Sequence, residues 1–339
     1  MTTYSVGHLH EIATQALAGQ GFSSTAARGI SEEFVVAELV GLRTHGVGKI
    51  ASLNLGDLKV DPTLTEYGPI VAADGNRGNG FLLMRKIAEL LIDKVREFGV
   101  GVAGARNFSR YSSLYPYTAK LAGQGFVGIL LNSAGPAAVT PFGSIDPITG
   151  TNPVCFSFPT SDGIQTFDLA TAEVVWGEIR QAALENRGVR PGPFLGSSGD
   201  VTTVPSEINA VRAFGGSKGW ALNLAVEILG GLMVGGAAGL AVESEFDCGA
   251  LMVAIDPART GAEAGFIANV SQLFEEIRQA RPSRDDEPVR VPGDRARARI
   301  DLQAVFSDPV EVEDSTIALL TRMAAGEKIS ELSSNLLFN

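Results

Sequence analysis

The sequence predicts an α/β protein with helical material at both ends, and three observations carry that prediction. Strand-like apolar runs alternate with helical stretches between about Glu66 and Ala170. The segment Phe81–Phe98, "FLLMRKIAELLIDKVREF", is poor in β-branched residues and places Leu83, Ile87, Leu91 and Val95 at helical spacing. The first 56 residues and the C-terminal stretch carry helical spacing without strand alternation. At 339 residues the chain also exceeds the usual single core, so two or three subdomains are expected.

The elements follow in order. Ser23 and Ser24 precede "TAARGISEEFVVAELVGL" and mark a helix start. "PIVAAD", "VGVAGARN", "FVGILLNS", "VCFSFPT" and "QTFDLA" read as strands, with helices at Phe81–Phe98 and across Ser112–Ala122. Glu173–Asn186 reads as a helix, followed by the Gly-, Pro- and Ser-rich loop "NRGVRPGPFLGSSGDVTTVPS" and a long helix from Ser217. "GALMVAID" is a further strand and Ala262–Ala280 a further helix. "RPSRDDEPVRVPGDR" is a charged connector, and the C-terminus is helical again. The domain reading is a helical N-terminal region 1–65, an α/β region 66–260 with a helical insertion, and a C-terminal helical region 261–339 that packs back on the N-terminal part. No internal repeat is visible.

The stretch Gly99–Gly104, "GVGVAG", matches G-x-G-x-x-G literally. A dinucleotide turn needs a strand before the glycines and a helix after them, so that the pyrophosphate meets a helix N-terminus. Here the helix comes first. Gly99 is therefore expected to cap that helix, and the later glycines to pack closely within a strand.

Composition narrows the class. The chain is 45% hydrophobic and 19% charged, which supports a folded core. A net charge of −11 argues against nucleic acid or an anionic membrane as partner. Cys155 and Cys248 lie in apolar strand-like runs and read as reduced thiols of a cytoplasmic protein. "MTTYSVGHLH" shows neither the basic region nor the apolar run of a secretory signal. Ile228–Val242 is apolar but only 15 residues long, five of them glycine, whereas a membrane span needs about 20 apolar residues. It reads as a buried helix ending in glycine-rich turns.

Candidate chemistry is sparse. Of the three histidines, His8 and His10 lie near a terminus and are expected to be solvated. His45, in "GLRTHGVGK", follows a helix; a proton-transfer group and a hydrogen-bonded histidine at a helix end are equally good readings of these residues. No C-x-x-C, H-E-x-x-H or carboxylate cluster has metal-ligand spacing, and no G-x-S-x-G is present. "AFGGSKGW" (Ala213–Trp220) leads into a helix, where backbone N–H groups and Lys218 form a phosphate cradle or simply a tight turn. "RVPGDR" adds Arg290 and Arg295 in a second turn, or a solvated loop.

Six motifs in register, "THGVGK", "NFSRYSSLY", "GTNP", "DLATAEVVWGE", "FGGSKG" and "PGDR", resemble the malate/L-lactate dehydrogenase family that lacks a Rossmann fold. Within it the sequence is most similar to the Δ1-piperideine-2-carboxylate/Δ1-pyrroline-2-carboxylate reductases. The resemblance runs from about His8 to Met323 and specifies a family, not a substrate. It implies a non-Rossmann α/β fold that binds NAD(P) in the 66–260 region. Cofactor contacts carry over to Arg110, Tyr111, Ser112, Ser113 and Leu114, to Asp168, Leu169 and Ala170, to Lys218, and to Arg290, Val291, Pro292, Gly293, Asp294, Arg295 and Ala296. His45 matches the family's proton donor, Thr44 a serine hydroxyl, and Glu178 an aspartate that completes a relay with it. Lys49 stands where an arginine grips the substrate carboxylate, and Thr151, Trp176 and Gly177 match substrate contacts.

The departures bear on substrate. Thr44 and Glu178 preserve a hydroxyl and a carboxylate, so proton transfer can survive. Lys49 replaces a bidentate fork by a point charge, and Trp176 reshapes the pocket and removes a polar partner. Arg110 replaces a histidine that accepts a proton in some branches, so that branch mechanism does not apply. The resemblance implies an NADPH-dependent reductase, with NADH possible, acting on the C=N carbon of a small cyclic imino acid. A 2-hydroxy acid dehydrogenase and a catalytically drifted nucleotide-binding member are the alternatives. A carboxylate-bearing substrate, a homodimer and the cytoplasm complete the expectation.

Overall fold

The computed structural model describes residues 2–42, 45–52, 58–133, 135–262, 265–284, 286–304 and 310–328. The chain forms two compact units, one of Met1–Leu58, Tyr111–Ser113 and Arg290–Asn339, the other of Lys59–Arg110 and Leu114–Val289. The division lies near the sequence boundaries at 65 and 260 without coinciding with them: residues 261–289 group with the second unit.

The first unit opens with a short strand, β1 (Thr2–Tyr4), and two helices, α1 (Val6–Gly19) and α2 (Ser24–Leu39). Ser23 caps α2 as the sequence predicts, its hydroxyl accepting the Ala26 N–H at 3.3 Å. The helices pack on each other, burying Leu9, Ala13 and Leu17 of α1 and Ala27, Ile30 and Phe34 of α2. Each such large aliphatic side chain contributes about 1.5–3 kcal/mol relative to exposure.

The second unit is built on one sheet. Its elements are β2 (Thr63–Tyr67), β3 (Ile70–Gly78), α3 (Gly80–Phe98), β4 (Val100–Phe108), α4 (Tyr115–Ala122), β5 (Val127–Ser133), β6 (Val154–Thr160), β7 (Gly163–Leu169), α5 (Trp176–Leu184), β8 (Phe194–Leu195), β9 (Ala210–Val211), α6 (Ser217–Gly230), β10 (Gly249–Ile255) and α7 (Phe266–Arg278). The seven-stranded sheet runs β2-β3-β4-β10-β5-β6-β7. Only β3 and β4, joined through α3, are parallel; every other neighbouring pair is antiparallel. A doubly wound dinucleotide fold requires a mostly parallel sheet, so this is not one.

The "GVGVAG" reading holds in detail. Leu83, Ile87, Leu91 and Val95 form the buried stripe of α3. Gly99 closes the helix with φ 82°, a left-handed conformation open to glycine at little cost. The following glycines lie within β4. Strand β10, missing from no sequence expectation, is buried at Ala250, Leu251 and Met252 between β4 and β5.

A second, smaller core gathers around α5 and the ribbon formed by β8 and β9. Val139, Val174, Ile179, Ala182, Phe194 and Val211 pack there, with Trp220 of α6 against them. Helix α6 meets the sheet at a glycine contact: a Cβ on Gly249 would collide with the Gly230 carbonyl.

Ile228–Val242 departs from expectation. Helix α6 ends at Gly230, and short 3₁₀ turns follow at Leu232–Val234 and Gly239–Ala241. The segment is not buried: Ile228 is 44% exposed, Leu232 59% and Leu240 69%. The glycines break the helix before its apolar stripe can complete a face. No helix among the described residues is long and apolar enough to cross a membrane.

The chain returns to the first unit at Arg290. Helix α8 (Asp294–Ala304), strand β11 (Val310–Val312) and helix α9 (Asp314–Ala324) follow. β11 pairs antiparallel with β1, and α9 packs on α1. Neither this two-stranded ribbon nor β2 was evident in the sequence. The strands are three to five residues long, and β1 and β2 are mostly exposed, so periodicity gives little signal.

Candidate active site

His45 sits on a turn that α2 holds from one side. Its own N–H donates to the Leu42 carbonyl at 2.8 Å, and the Lys49 N–H to Gly46 at 2.9 Å. The Glu38 carboxylate accepts the Val47 N–H at 3.0 Å, which ties the 3₁₀ turn Val47–Ser52 to α2. Ser112, in the short stretch that joins this unit, donates its hydroxyl to the His45 carbonyl at 3.1 Å. Burial lowers the His45 pKa below 6.5, and the Lys49 charge lowers it further. The imidazole is therefore mainly neutral at neutral pH. His10, expected to be solvated, is partly buried on α1 with Nε2 at 3.0 Å from the Arg28 carbonyl, while His8 is exposed and stacks on Tyr4. Thr44 lies outside the described residues.

Asp168 ends β7 and reaches the start of α4. One carboxylate oxygen accepts the N–H groups of Leu114 at 3.0 Å and Tyr115 at 2.9 Å, capping a helix that lacks a side-chain cap of its own. The residue keeps an exposed edge while its carboxyl group is crowded by protein atoms. That desolvation pushes the pKa up to about 6, against the two backbone donors that pull it down. Leu114 is buried, and Arg110 carries a buried Nε with no hydrogen-bond partner among the described residues. The Arg110 charge also pulls on the Cys248 thiol, which burial nonetheless pushes up to about 12. Both Cys155 and Cys248 are free, buried and protonated at neutral pH.

The remaining positions of the second unit surround β6, β7 and two helix starts. The Thr151 carbonyl accepts from the Thr171 and Ala172 N–H groups at 3.1 and 3.3 Å. Leu169 is exposed and Ala170 half-buried beside the smaller core. Trp176, Gly177 and Glu178 form the first turn of α5, with Trp176 38% exposed and the Glu178 N–H donating to Val175 at 3.0 Å. Lys218 is exposed in the first turn of α6, behind Gly215 and Gly216 at φ 60° and 66°. No side chain of the described residues caps that turn.

In the first unit, the run Arg290–Ala296 makes a closed turn. The Asp294 carboxylate accepts the Val291 N–H at 2.8 Å, and the Asp294 N–H donates to the Val291 carbonyl at 3.0 Å. Gly293, at φ 90°, permits the turn, and Asp294 begins α8. Val291 is buried; Arg290, Pro292 and Arg295 are exposed, with Gly293 and Ala296 between. Thus the structure brings His45 together with Lys49 and with Ser112, and Asp168 together with Leu114. It distributes the rest over both units. Sequence reasoning missed Glu38, which binds the nearby Val47 N–H, and Asn223 and Glu227, which bind groups more than seventy residues away; it quoted Asn152 within "GTNP" without assigning it a role. Among the described residues no group of three or more His, Cys, Asp and Glu side chains gathers as a metal site.

The described residues thus carry a mostly antiparallel α/β sheet outside the Rossmann class, a half-buried histidine near a lysine, and a helix start without a side-chain cap. Comparison with known proteins gives the family: residues 4–320 match the malate/L-lactate dehydrogenase model, and the chain belongs to that family. It is 30% identical to the malate/(S)-sulfolactate dehydrogenase of Methanothermus fervidus over 83% of this chain and 85% of that one. It is also 30% identical to the Δ1-pyrroline-2-carboxylate/Δ1-piperideine-2-carboxylate reductase of Pseudomonas syringae pv. tomato, over 86% and 88%. The solved sulfolactate dehydrogenase of Methanocaldococcus jannaschii superimposes with a TM-score of 0.83 at 26% identity, covering 97% of this chain and 99% of that one.

Proposed function

We propose that this oxidoreductase reduces the C=N bond of a small cyclic imino acid with NADPH, NADH serving less well, and that His45 passes the proton to nitrogen. The observation that carries the reading is the placement of His45 and Lys49 on one half-buried turn, close enough for the lysine charge to act on the imidazole. Burial is the larger cause that depresses the imidazole and the Lys49 charge the smaller; a substrate carboxylate beside Lys49 offsets the second and so favours the protonated form that reduction needs. Thr44 and Glu178 are the proposed relay, and Thr151, Trp176 and Gly177 the proposed substrate contacts.

The donor set suits a nicotinamide dinucleotide. Within the second unit, the uncapped start of α6 with Lys218 and the buried Nε of Arg110 supply N–H groups and cations suited to a pyrophosphate; Arg290 and Arg295 are further proposed contacts. Tyr111, Ser112, Ser113, Leu114, Leu169, Ala170, Val291, Pro292, Gly293, Asp294 and Ala296 are the proposed flanking contacts, with Asp168 holding Leu114 in place. When bound, the reduced nicotinamide supplies the hydride. The preference for NADPH over NADH is part of the same proposal.

A second reading has its own support. A neutral His45 is suited to accept a proton from a hydroxyl, which is what oxidation of a 2-hydroxy acid requires, and a relative of this chain carries the name malate/(S)-sulfolactate dehydrogenase. The deciding experiment follows nicotinamide absorbance with each cofactor against Δ1-piperideine-2-carboxylate and oxaloacetate. Faster turnover of the imine is expected; turnover of oxaloacetate alone would replace the first reading by the second. A homodimer is part of the proposal. Its support is the exposed apolar surface at Ile228, Leu232, Met233 and Leu240, and a monomer in sedimentation at assay concentration would refute it. The free, buried cysteines support a cytoplasmic setting.

A further inference from the structure

Beneath the turn Thr149–Asn152, which carries part of the "GTNP" motif, lies a buried polar network centred on Asn223, a residue outside the motifs. The Asn223 amide, on α6, uses both its ends. Its Nδ2 donates to the Gly150 carbonyl at 3.0 Å and to the Thr171 hydroxyl at 2.9 Å, while its Oδ1 accepts the Thr149 hydroxyl at 2.6 Å. Thr171 in turn donates its hydroxyl toward the carbonyls of Thr151 at 3.0 Å and Asn152 at 2.9 Å. The Asn152 Nδ2 reaches the Glu227 carboxylate at 2.6 Å and the Asn223 carbonyl at 3.1 Å. Ser133 adds a bond to that carboxylate at 3.2 Å. Thr149, Asn152, Thr171, Asn223 and Glu227 are all buried.

This arrangement is unusual in what it leaves over. Every backbone carbonyl from Gly150 to Asn152 is held by Asn223 or Thr171, and Asn152 is locked at φ 44° with a buried Oδ1 that has no partner among the described residues. A buried unpaired acceptor and a left-handed backbone both carry a cost, which the bonds from Asn223, Thr171 and Glu227 help to offset. The Thr151 hydroxyl is the one side-chain hydroxyl of this set with no hydrogen bond among the described residues, and Thr151 is only half-buried.

We infer that Thr171, backed by Asn223, is a positioning residue that fixes the turn carrying Thr151 and so presents the Thr151 hydroxyl to the substrate. The inference rests on the reading of Thr151 as a substrate contact. Thr171 touches no reacting atom in this role. Loss of its hydroxyl leaves one Asn223 N–H and the Asn152 carbonyl short of a partner, and leaves the Thr151 carbonyl with only the Thr171 and Ala172 N–H groups, so the turn loosens. Substrate binding then suffers more than turnover at saturation, because the proton and hydride steps do not pass through this network.

The test compares Thr151→Val, Thr171→Val and Thr171→Ser in the full chain, with Δ1-piperideine-2-carboxylate and oxaloacetate as probes and a melting curve for each variant. Thr171→Val should raise KM about tenfold or more with kcat within about threefold, and Thr171→Ser should return both toward wild type. If Thr151→Val raises KM and Thr171→Val does not, the positioning role is overturned and the reading of Thr151 stands. An unchanged KM in Thr151→Val overturns both. Should the valine variant not fold, Thr171→Ala removes the same hydroxyl and carries the same expectation. Amide exchange across residues 148–153 reads the positioning without turnover: it should quicken in Thr171→Val and recover in Thr171→Ser, and unchanged exchange overturns the proposal on either probe.

Discussion

Two titratable groups, one in each unit, are both pushed toward their neutral forms, and they differ in what opposes the push. At His45, burial and the Lys49 charge act in the same direction. At Asp168, burial acts against two backbone N–H donors and prevails, leaving the carboxyl near 6. The His45 balance is thus responsive to any ligand that neutralises Lys49, whereas the Asp168 balance is tied to the start of α4. A group whose charge a substrate can change is suited to moving a proton. A group bonded to a helix end is suited to holding a loop.

The sharpest way to break that contrast is His45→Ala. Loss of a general acid–base group should cost on the order of 10²–10⁴ in kcat, with cofactor affinity barely changed. Near-normal turnover in a folded variant would assign His45 to structure and move the proton chemistry elsewhere.

Lys49→Ala should have a smaller and double effect. KM should rise by more than an exposed ion pair accounts for, about 0.2–1 kcal/mol, because Lys49 is partly buried. The His45 pKa should also rise toward 6.5, since one of its two depressing causes is gone. In the oxidative direction, kcat/KM of the wild type should increase with pH through a midpoint below 6.5, and the variant's midpoint should lie higher. Identical pH profiles would show that the two residues are not coupled in the working enzyme.

These tests bear on what the sequence could reveal. The strands β3 to β6 and β10 and the helix α3 were legible, because each buries small or apolar residues at a clean period, while β7 was legible from its composition although its one buried residue is Gln165. "GVGVAG" was legible as a helix cap and strand because the order of elements around it is local. The candidate site was legible only residue by residue, through motif resemblance. Asp168 shows why: "DLA" marks a contact, but its bonds to Leu114 and Tyr115 join positions more than fifty residues apart. Glu38, Asn223 and Glu227 carry no pattern at all, since a polar residue on a helix reads as solvated until its buried partners are seen. The exposed stretch after α6 misled for the opposite reason: its apolar composition said buried, and only the chain breaks at glycine expose it.

The smallest effect concerns stability and tests the Asp168 half of the contrast. Its folded pKa of about 6 lies above the ordinary 3.8, so between those values the folded chain holds a proton that the unfolded chain releases. The stabilisation from this group is therefore full below 3.8 and is lost as pH rises through about 6. Asp168→Asn cannot titrate and keeps an oxygen able to accept from Leu114 and Tyr115. It forgoes the favourable charge at a helix N-terminus, typically about 0.3–1 kcal/mol, and also the cost of ionising a crowded carboxyl. Because the residue keeps an exposed edge, solvent screening makes the net difference small. Melting temperatures of both proteins at several pH values should show the asparagine variant gaining on the wild type between pH 4 and 7. A constant offset across that range would mean that Asp168 ionises freely in the folded protein, and that burial does not prevail over the α4 amides.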